Sequence, residues 1–163
     1  MKKGVWITAA AVLLLAIGLT GCGKYVSSYR ALALMRSTRA GSASVRFSEL
    51  EGTMAFRLKC RKGSGALSIF CSAKLESGSA TVYCDSDGTK REWFTIEAGS
   101  DAATVYFYSY PDGVRLEGVP LEAGEELRTP WDYVSPGTAY VVIETDGKCE
   151  EGSFRFEVEH VVY

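Results

Sequence analysis

Over most of this chain, apolar and polar residues alternate one for one. In one stretch the apolar residues Met54, Phe56, Leu58 and Cys60 occupy every second position, and three of the four residues that follow them are basic. A period of two is typical of a strand with one face in the core and the other in solvent. The pattern therefore predicts a half-buried strand with a basic outer face.

Similar short segments follow, bounded by turn residues such as Asp87-Gly88 and Pro136-Gly137. About eight or nine short strands without a helical pattern among them predict an all-β fold, an antiparallel β-sandwich of jelly-roll-like or immunoglobulin-like type. We expect the strands after the first at about 66–75, 80–85, 91–97, 103–110, 113–117, 138–145 and 153–161.

The first residues carry an export pattern. Lys2 and Lys3 precede an apolar stretch at 5–19, which is shorter than the roughly 20 residues of a membrane-spanning helix. With small residues behind it, this is typical of a cleaved signal peptide. The next residues, Leu19-Thr20-Gly21-Cys22, resemble the lipobox of bacterial lipoproteins.

The lipobox resemblance implies that a peptidase removes residues 1–21 after a diacylglycerol has been attached to Cys22. Two or three acyl chains would hold the protein durably, at the outer face of the cell membrane or at an outer membrane. The alternative is an ordinary signal peptide with a chance cysteine. The remainder suits one domain, divided into a basic helix or linker at 22–43, with the helix at about 25–36, and a sandwich at 44–163.

Charge is unevenly distributed along the chain. Residues 24–62 hold nine basic and two acidic side chains, and the residues from 63 onward hold seven basic and eighteen acidic ones. Cations close to the anchor could attract anionic lipid headgroups, or they could be solvated linker charges. Nucleic acid is not an expected partner of a net-acidic exported chain. The anchor-proximal cations are Lys24, Arg30, Arg36 and Arg39.

Four cysteines remain after Cys22, an even number that suggests disulfides in an exported domain. If 76–79 is a hairpin turn, Cys71 faces Cys84. If the first and last core strands pair antiparallel, the ends that carry Cys60 and Cys149 meet. We therefore predict these two disulfides, with four buried free thiols as the alternative. A zinc site is not expected, because the chain has no Cys-x2-Cys pair.

A second resemblance concerns the C-terminal stretch. The run Pro136-Gly137-Thr138-Ala139-Tyr140-Val141-Val142-Ile143, followed by Gly152-Ser153-Phe154-Arg155-Phe156-Glu157-Val158, is similar to the closing hairpin of small secreted bacterial domains such as pre-peptidase C-terminal domains. It covers under a fifth of the chain. The resemblance implies the sandwich fold and leaves the function open, because sandwiches carry many unrelated activities.

Sequence signals for catalysis are weak. The chain has one histidine, His160, and lacks a nucleophile elbow, a phosphate-binding loop and a zinc-protease motif. Asp85, Asp87 and Gly88 could belong to a calcium loop, although a tight turn explains the same residues. We expect no enzyme, catalytic residue, metal or cofactor, with a loop-borne hydrolase or inhibitor as a remote alternative.

Aromatic residues suggest binding. Tyr106, Tyr108 and Tyr110 share one face of the predicted strand at 103–110, and Trp131 and Tyr133 lie in a predicted loop. Exposed aromatic side chains can stack on sugars or contact proteins, although these could equally pack against the fold. The expected function is a membrane-anchored, non-catalytic sandwich that binds a glycan or a protein at the cell envelope. The alternative is a structural component of an envelope complex.

Overall fold

The structure, a computed structural model, describes residues 15–122 and 124–162. These residues form one antiparallel sheet in the order β1-β2-β4-β10-β5-β6-β7-β8, with β3 also paired to β4 and β9 to β5. The predicted all-β, antiparallel, sandwich-like fold is confirmed. The strands are β1 (Leu15–Cys22), β2 (Tyr25–Leu32), β3 (Met35–Arg39), β4 (Ser42–Cys60), β5 (Ala66–Asp85), β6 (Arg91–Ala98), β7 (Ala102–Phe107), β8 (Val119–Glu122), β9 (Leu127–Val134) and β10 (Gly137–Val161).

Three strands, β4, β5 and β10, have 19, 20 and 25 residues, far beyond the usual length of about 3–10. Each changes its buried side midway. In β5 the buried apolar residues have odd numbers up to Leu75 and even numbers from Ala80 onward. Because side chains alternate across a strand, this change of parity means that the strand bends and directs both of its halves into one interior.

Glycines make two of the bends possible. Gly52 has a φ of +122°, and a Cβ there would lie 2.3 Å from the carbonyl oxygen of Ser28. Gly78 has a φ of +100°, and its Cβ would lie 2.8 Å from the carbonyl oxygen of Lys148. Any other residue would be strained at both positions. In β10 the register with β4 shifts between Glu144 and Cys149, which is opposite the bend at Gly52.

The bends divide the sheet into two layers. Layer A contains β6, β7, β8 and the halves of the long strands at 53–60, 78–85 and 137–146. Layer B contains β3, β9 and the halves at 42–50, 66–77 and 149–161.

The two layers pack face to face. The ring of Phe56 in layer A lies 6.0 Å from that of Phe156 in layer B, and Trp93 lies 5.8 Å from Trp131. The backbone N–H of Lys59 donates to the carbonyl of Ala40 at 2.6 Å, which joins the free ends of the layers. These contacts enclose the apolar core.

Several local predictions are wrong. The segment predicted as a helix at 25–36 forms β2 and the start of β3, and its buried residues are Ser27 and Ala31 of β2. The segments 66–75 and 80–85 are one strand, as are 138–145 and 153–161, because a bending strand carries the same glycine and polar signals as a turn. Residues 113–117 form only an isolated bridge from Arg115 to Tyr108.

The sheet therefore begins before residue 44, and the predicted linker contributes two of its strands. Of the predicted signal peptide, residues 1–14 lie outside the described residues. The backbone of Leu15–Cys22 forms β1, an edge strand that pairs with β2. Cleavage before Cys22 stays a prediction.

Candidate functional site

Three of the five predicted binding aromatics form one cluster, here called the aromatic platform: Tyr110, Trp131 and Tyr133. The rings of Tyr110 and Tyr133 are stacked, with centroids 3.6 Å apart and planes 10° from parallel. Trp131 meets both edge-on, at 5.9 and 5.8 Å. Trp131 is buried, whereas 51% of Tyr133 is exposed. The platform thus has a buried base and an exposed ring.

Strand β9 positions the platform, so the prediction of a loop at Trp131 is wrong. Trp131 faces the interior opposite Ile69, and its indole N–H donates to Ser86 Oγ at 3.1 Å. Ser86 in turn donates to the carbonyl of Tyr133. On the outer side of β9, Asp132 accepts a 2.6 Å hydrogen bond from Ser68. Hydrogen bonds therefore fix both the Tyr133 carbonyl and the neighbouring Asp132 side chain.

A charged pair flanks the platform. The Arg91 guanidinium lies 5.1 Å from the centroid of the Tyr110 ring and donates to both carboxylate oxygens of Asp87, at 2.7 and 2.8 Å. The hydrogen bond from Arg91 lowers the pKa of Asp87. Arg91 was not predicted as a neighbour of the platform. Its only sequence signal is its position directly after the turn that carries Asp87.

Tyr106 and Tyr108 do not join the platform. The Arg115 guanidinium covers the Tyr106 ring at 3.6 Å and is paired with Glu97. The Tyr108 hydroxyl is hydrogen-bonded to that of Thr95 at 3.0 Å. Strand β7 ends at Phe107, so the predicted three-tyrosine ladder does not continue to Tyr110.

A second cluster surrounds Asp85 at the end of β5. Its carboxylate is buried and accepts hydrogen bonds from Lys24 Nζ and the Tyr25 hydroxyl, both at 2.7 Å, and from the backbone N–H of Gly88. Burial raises the pKa of Asp85, but the hydrogen bonds from Lys24 and Tyr25 outweigh it, and the pKa lies below its ordinary value. Asp85 thus ties the residues after Cys22 to the sheet.

All four cysteines of the sandwich are buried free thiols. Cys71 and Cys84 lie in one strand, so the hairpin used to pair them is absent. Cys60 is opposite Gly137, whereas Cys149 is opposite Leu50. Leu50 and Cys60 are roughly 20–30 Å apart along β4, well beyond the limit of about 7 Å on the Cα–Cα distance across a disulfide. The strand registers from which both disulfides were predicted are therefore wrong. Burial raises the pKa of Cys149 to about 11.

Two of the four anchor-proximal cations are already engaged. Lys24 is paired with Asp85, and Arg36 donates to the carbonyl of Ala55 at 2.9 Å with its guanidinium 4.5 Å above the Phe56 ring. Arg30 and Arg39 are exposed. Cys22 lies three residues before Tyr25, the first residue of β2, so a lipid on Cys22 would be attached next to the sheet.

The chain matches no known family model, and no curated protein matches it in sequence. Within residues 15–122 and 124–162 there is no helix long and apolar enough to cross a membrane.

Proposed function

We propose that this protein is a lipid-anchored, non-catalytic sandwich that binds a glycan at the outer face of the membrane through the aromatic platform. The single observation that carries the proposal is the exposed ring of Tyr133, stacked on Tyr110 and fixed from below by the buried Trp131. A rigid aromatic face loses little conformational freedom when an apolar sugar face stacks on it.

The surroundings of the platform support a glycan as the ligand. Arg91 stands beside Tyr110 and is paired with Asp87. Carboxylates accept and guanidinium groups donate hydrogen bonds, so these side chains complement sugar hydroxyls at the rim of a stacking surface. Lys24 and Tyr25, which follow Cys22 closely, donate to Asp85, and the adjacent Ser86 donates to the Tyr133 carbonyl, so the anchor would hold the platform close to the cell surface.

The variant Tyr133→Ala tests this proposal. On an array of neutral and acidic cell-wall oligosaccharides, we expect the full chain to bind at least one glycan and the variant to bind it roughly tenfold more weakly, because the stacking face is lost. Tyr106→Ala is the matched control, since its ring is covered by Arg115. Equal affinity of Tyr133→Ala and the wild type for every bound glycan would contradict the proposal.

A specific observation also favours the alternative of a structural component in an envelope complex. Three apolar side chains in and beside the connection from β7 to β8 are exposed by about half or more: Val114, Leu116 and Val119, at 59%, 48% and 50%. Exposed apolar side chains close together suit a protein contact. An array without any bound glycan, together with crosslinking to one envelope protein that Leu116→Ser abolishes, would favour this function over glycan binding.

A further inference from the structure

A groove crosses the outer face of layer B, where β3, β4, β10 and β5 lie side by side. Its volume is about 540 Å³, within the range of about 300–1,000 Å³ that is common for small-ligand sites. Arginine and serine dominate its walls and floor. They are Arg36, Arg39, Arg46 and Arg155, with Ser37, Ser42, Ser44, Ser72 and Ser153.

The strand registers explain this pattern. Arg46 is opposite Ser153 on β10, and Arg155 is opposite Ser44 on β4 and Ser72 on β5. Residues in such diagonal positions on neighbouring strands lie about 7–8 Å apart on one face. The exposed Arg46 and Arg155 are therefore held a short distance apart, with serines beside each of them.

Two of the groove cations have no acidic partner. Arg39 and Arg46 form no ion pair within the described part of the chain, while Arg155 is paired with Glu157. Arg36 lines the groove, but its guanidinium already donates to the Ala55 carbonyl. Glu126 is the one carboxylate among the described lining residues. The groove therefore keeps a net positive charge, although acidic residues outnumber basic ones in the chain.

We propose that this groove binds an acidic glycan, a polyhydroxylated chain that carries carboxylate or phosphate groups. Guanidinium groups bind such anions through paired hydrogen bonds, and serine hydroxyls both donate to and accept from sugar hydroxyls. A flat membrane surface would contact the exposed arginines but not the serines of the floor. The proposal extends the proposed function by naming a ligand class, but it depends on different residues from those of the aromatic platform.

The test measures binding of an oligogalacturonate, which has one carboxylate per sugar, to the full chain by calorimetry. A neutral galactan oligosaccharide of equal length and phosphatidylglycerol vesicles are measured in parallel. The variant is Arg39→Gln/Arg46→Gln, and the matched control is Arg57→Gln/Arg61→Gln, which removes two exposed arginines in and just after β4 outside the groove.

We expect binding of the oligogalacturonate, no binding of the neutral chain, and a loss of at least about tenfold in the groove variant, with the control within about twofold of the wild type. Equal losses in both variants would overturn the proposal, because they would indicate a diffuse charge effect. Binding to vesicles alone, or to neither anion, would also overturn it. Unchanged oligogalacturonate binding by Tyr133→Ala would show that the groove binds this ligand independently of the aromatic platform.

Discussion

Two groups of cationic side chains in this molecule have opposite surroundings. Beside the turn after β5, Lys24 and Arg91 are each paired with a carboxylate, of Asp85 and Asp87 respectively. On the outer face of layer B, Arg39 and Arg46 have no such partner among the described residues. The cations of the first group are neutralised within the protein, whereas those of the second leave their charge available to an anionic ligand.

The difference shows that a count of charges along the chain cannot separate structural from binding cations. Lys24 and Arg39 belong to the same basic segment, but Asp85, which pairs with Lys24, is far away in the sequence. The carboxylate of Asp85 is buried and makes three hydrogen bonds. Removal of Asp85, the buried acidic partner in the first group, should therefore have a large effect on stability, and removal of the unpaired cations in the second group should have little effect.

The largest effect is expected for Asp85→Ala. This variant leaves the hydroxyl of Tyr25 and the N–H of Gly88 without their acceptor, and an unsatisfied buried group costs about 1–3 kcal/mol. We expect the free energy of unfolding to fall by about 3 kcal/mol in urea titrations. The control is Asp87→Ala, where the pair is exposed and the loss should stay below about 1 kcal/mol. Similar losses in both variants would show that burial of the Asp85 carboxylate does not determine the size of the effect.

The second prediction concerns pH. The pKa of Asp85 lies below its ordinary value of 3.8, so the folded state binds this proton less readily than the unfolded state does. The stability that Asp85 contributes is complete above pH 4 or so and is lost as the pH falls through the lowered pKa. The difference in unfolding free energy between the wild type and Asp85→Ala should therefore narrow below about pH 4. A constant difference from pH 6 to pH 2 would show that the carboxylate charge is not involved.

The fold class was predictable from the sequence because period-two alternation is a local signal, and the strands around Met54 and Phe156 carry it clearly. The bends were not predictable. Gly78 looks like a turn residue, but the ladder with β10 continues on both sides of it, from Ser77 to Ser79. Both predicted disulfides depended on strand ends and turns that do not exist, so one misplaced turn changed the pairing of distant residues.

The candidate sites were predictable in part. Aromatic composition identified Tyr110, Trp131 and Tyr133 as candidates, and the structure brings these three together. The composition of the chain could not identify Arg91 or the serines beside Arg46, because residues from different strands become neighbours only through the register of the sheet. The charge of the segment 24–62 was evident, but not which of its cations would be paired.

The smallest effect on stability is expected for Arg39→Gln/Arg46→Gln. Both side chains are exposed, and neither has a carboxylate partner in the described residues, so their loss removes no ion pair and leaves no buried group unsatisfied. Substitutions at such surface positions usually change stability by less than about 0.5 kcal/mol. We expect urea midpoints within error of the wild type, or slightly higher if the loss of Arg46 relieves its repulsion with Arg155, its diagonal neighbour on β10. A clear loss of stability would mean that these arginines have a structural role, as Lys24 does, and that the contrast between the two groups of cations is wrong. An unchanged midpoint, together with weaker oligogalacturonate binding, would assign the unpaired arginines to recognition and not to folding.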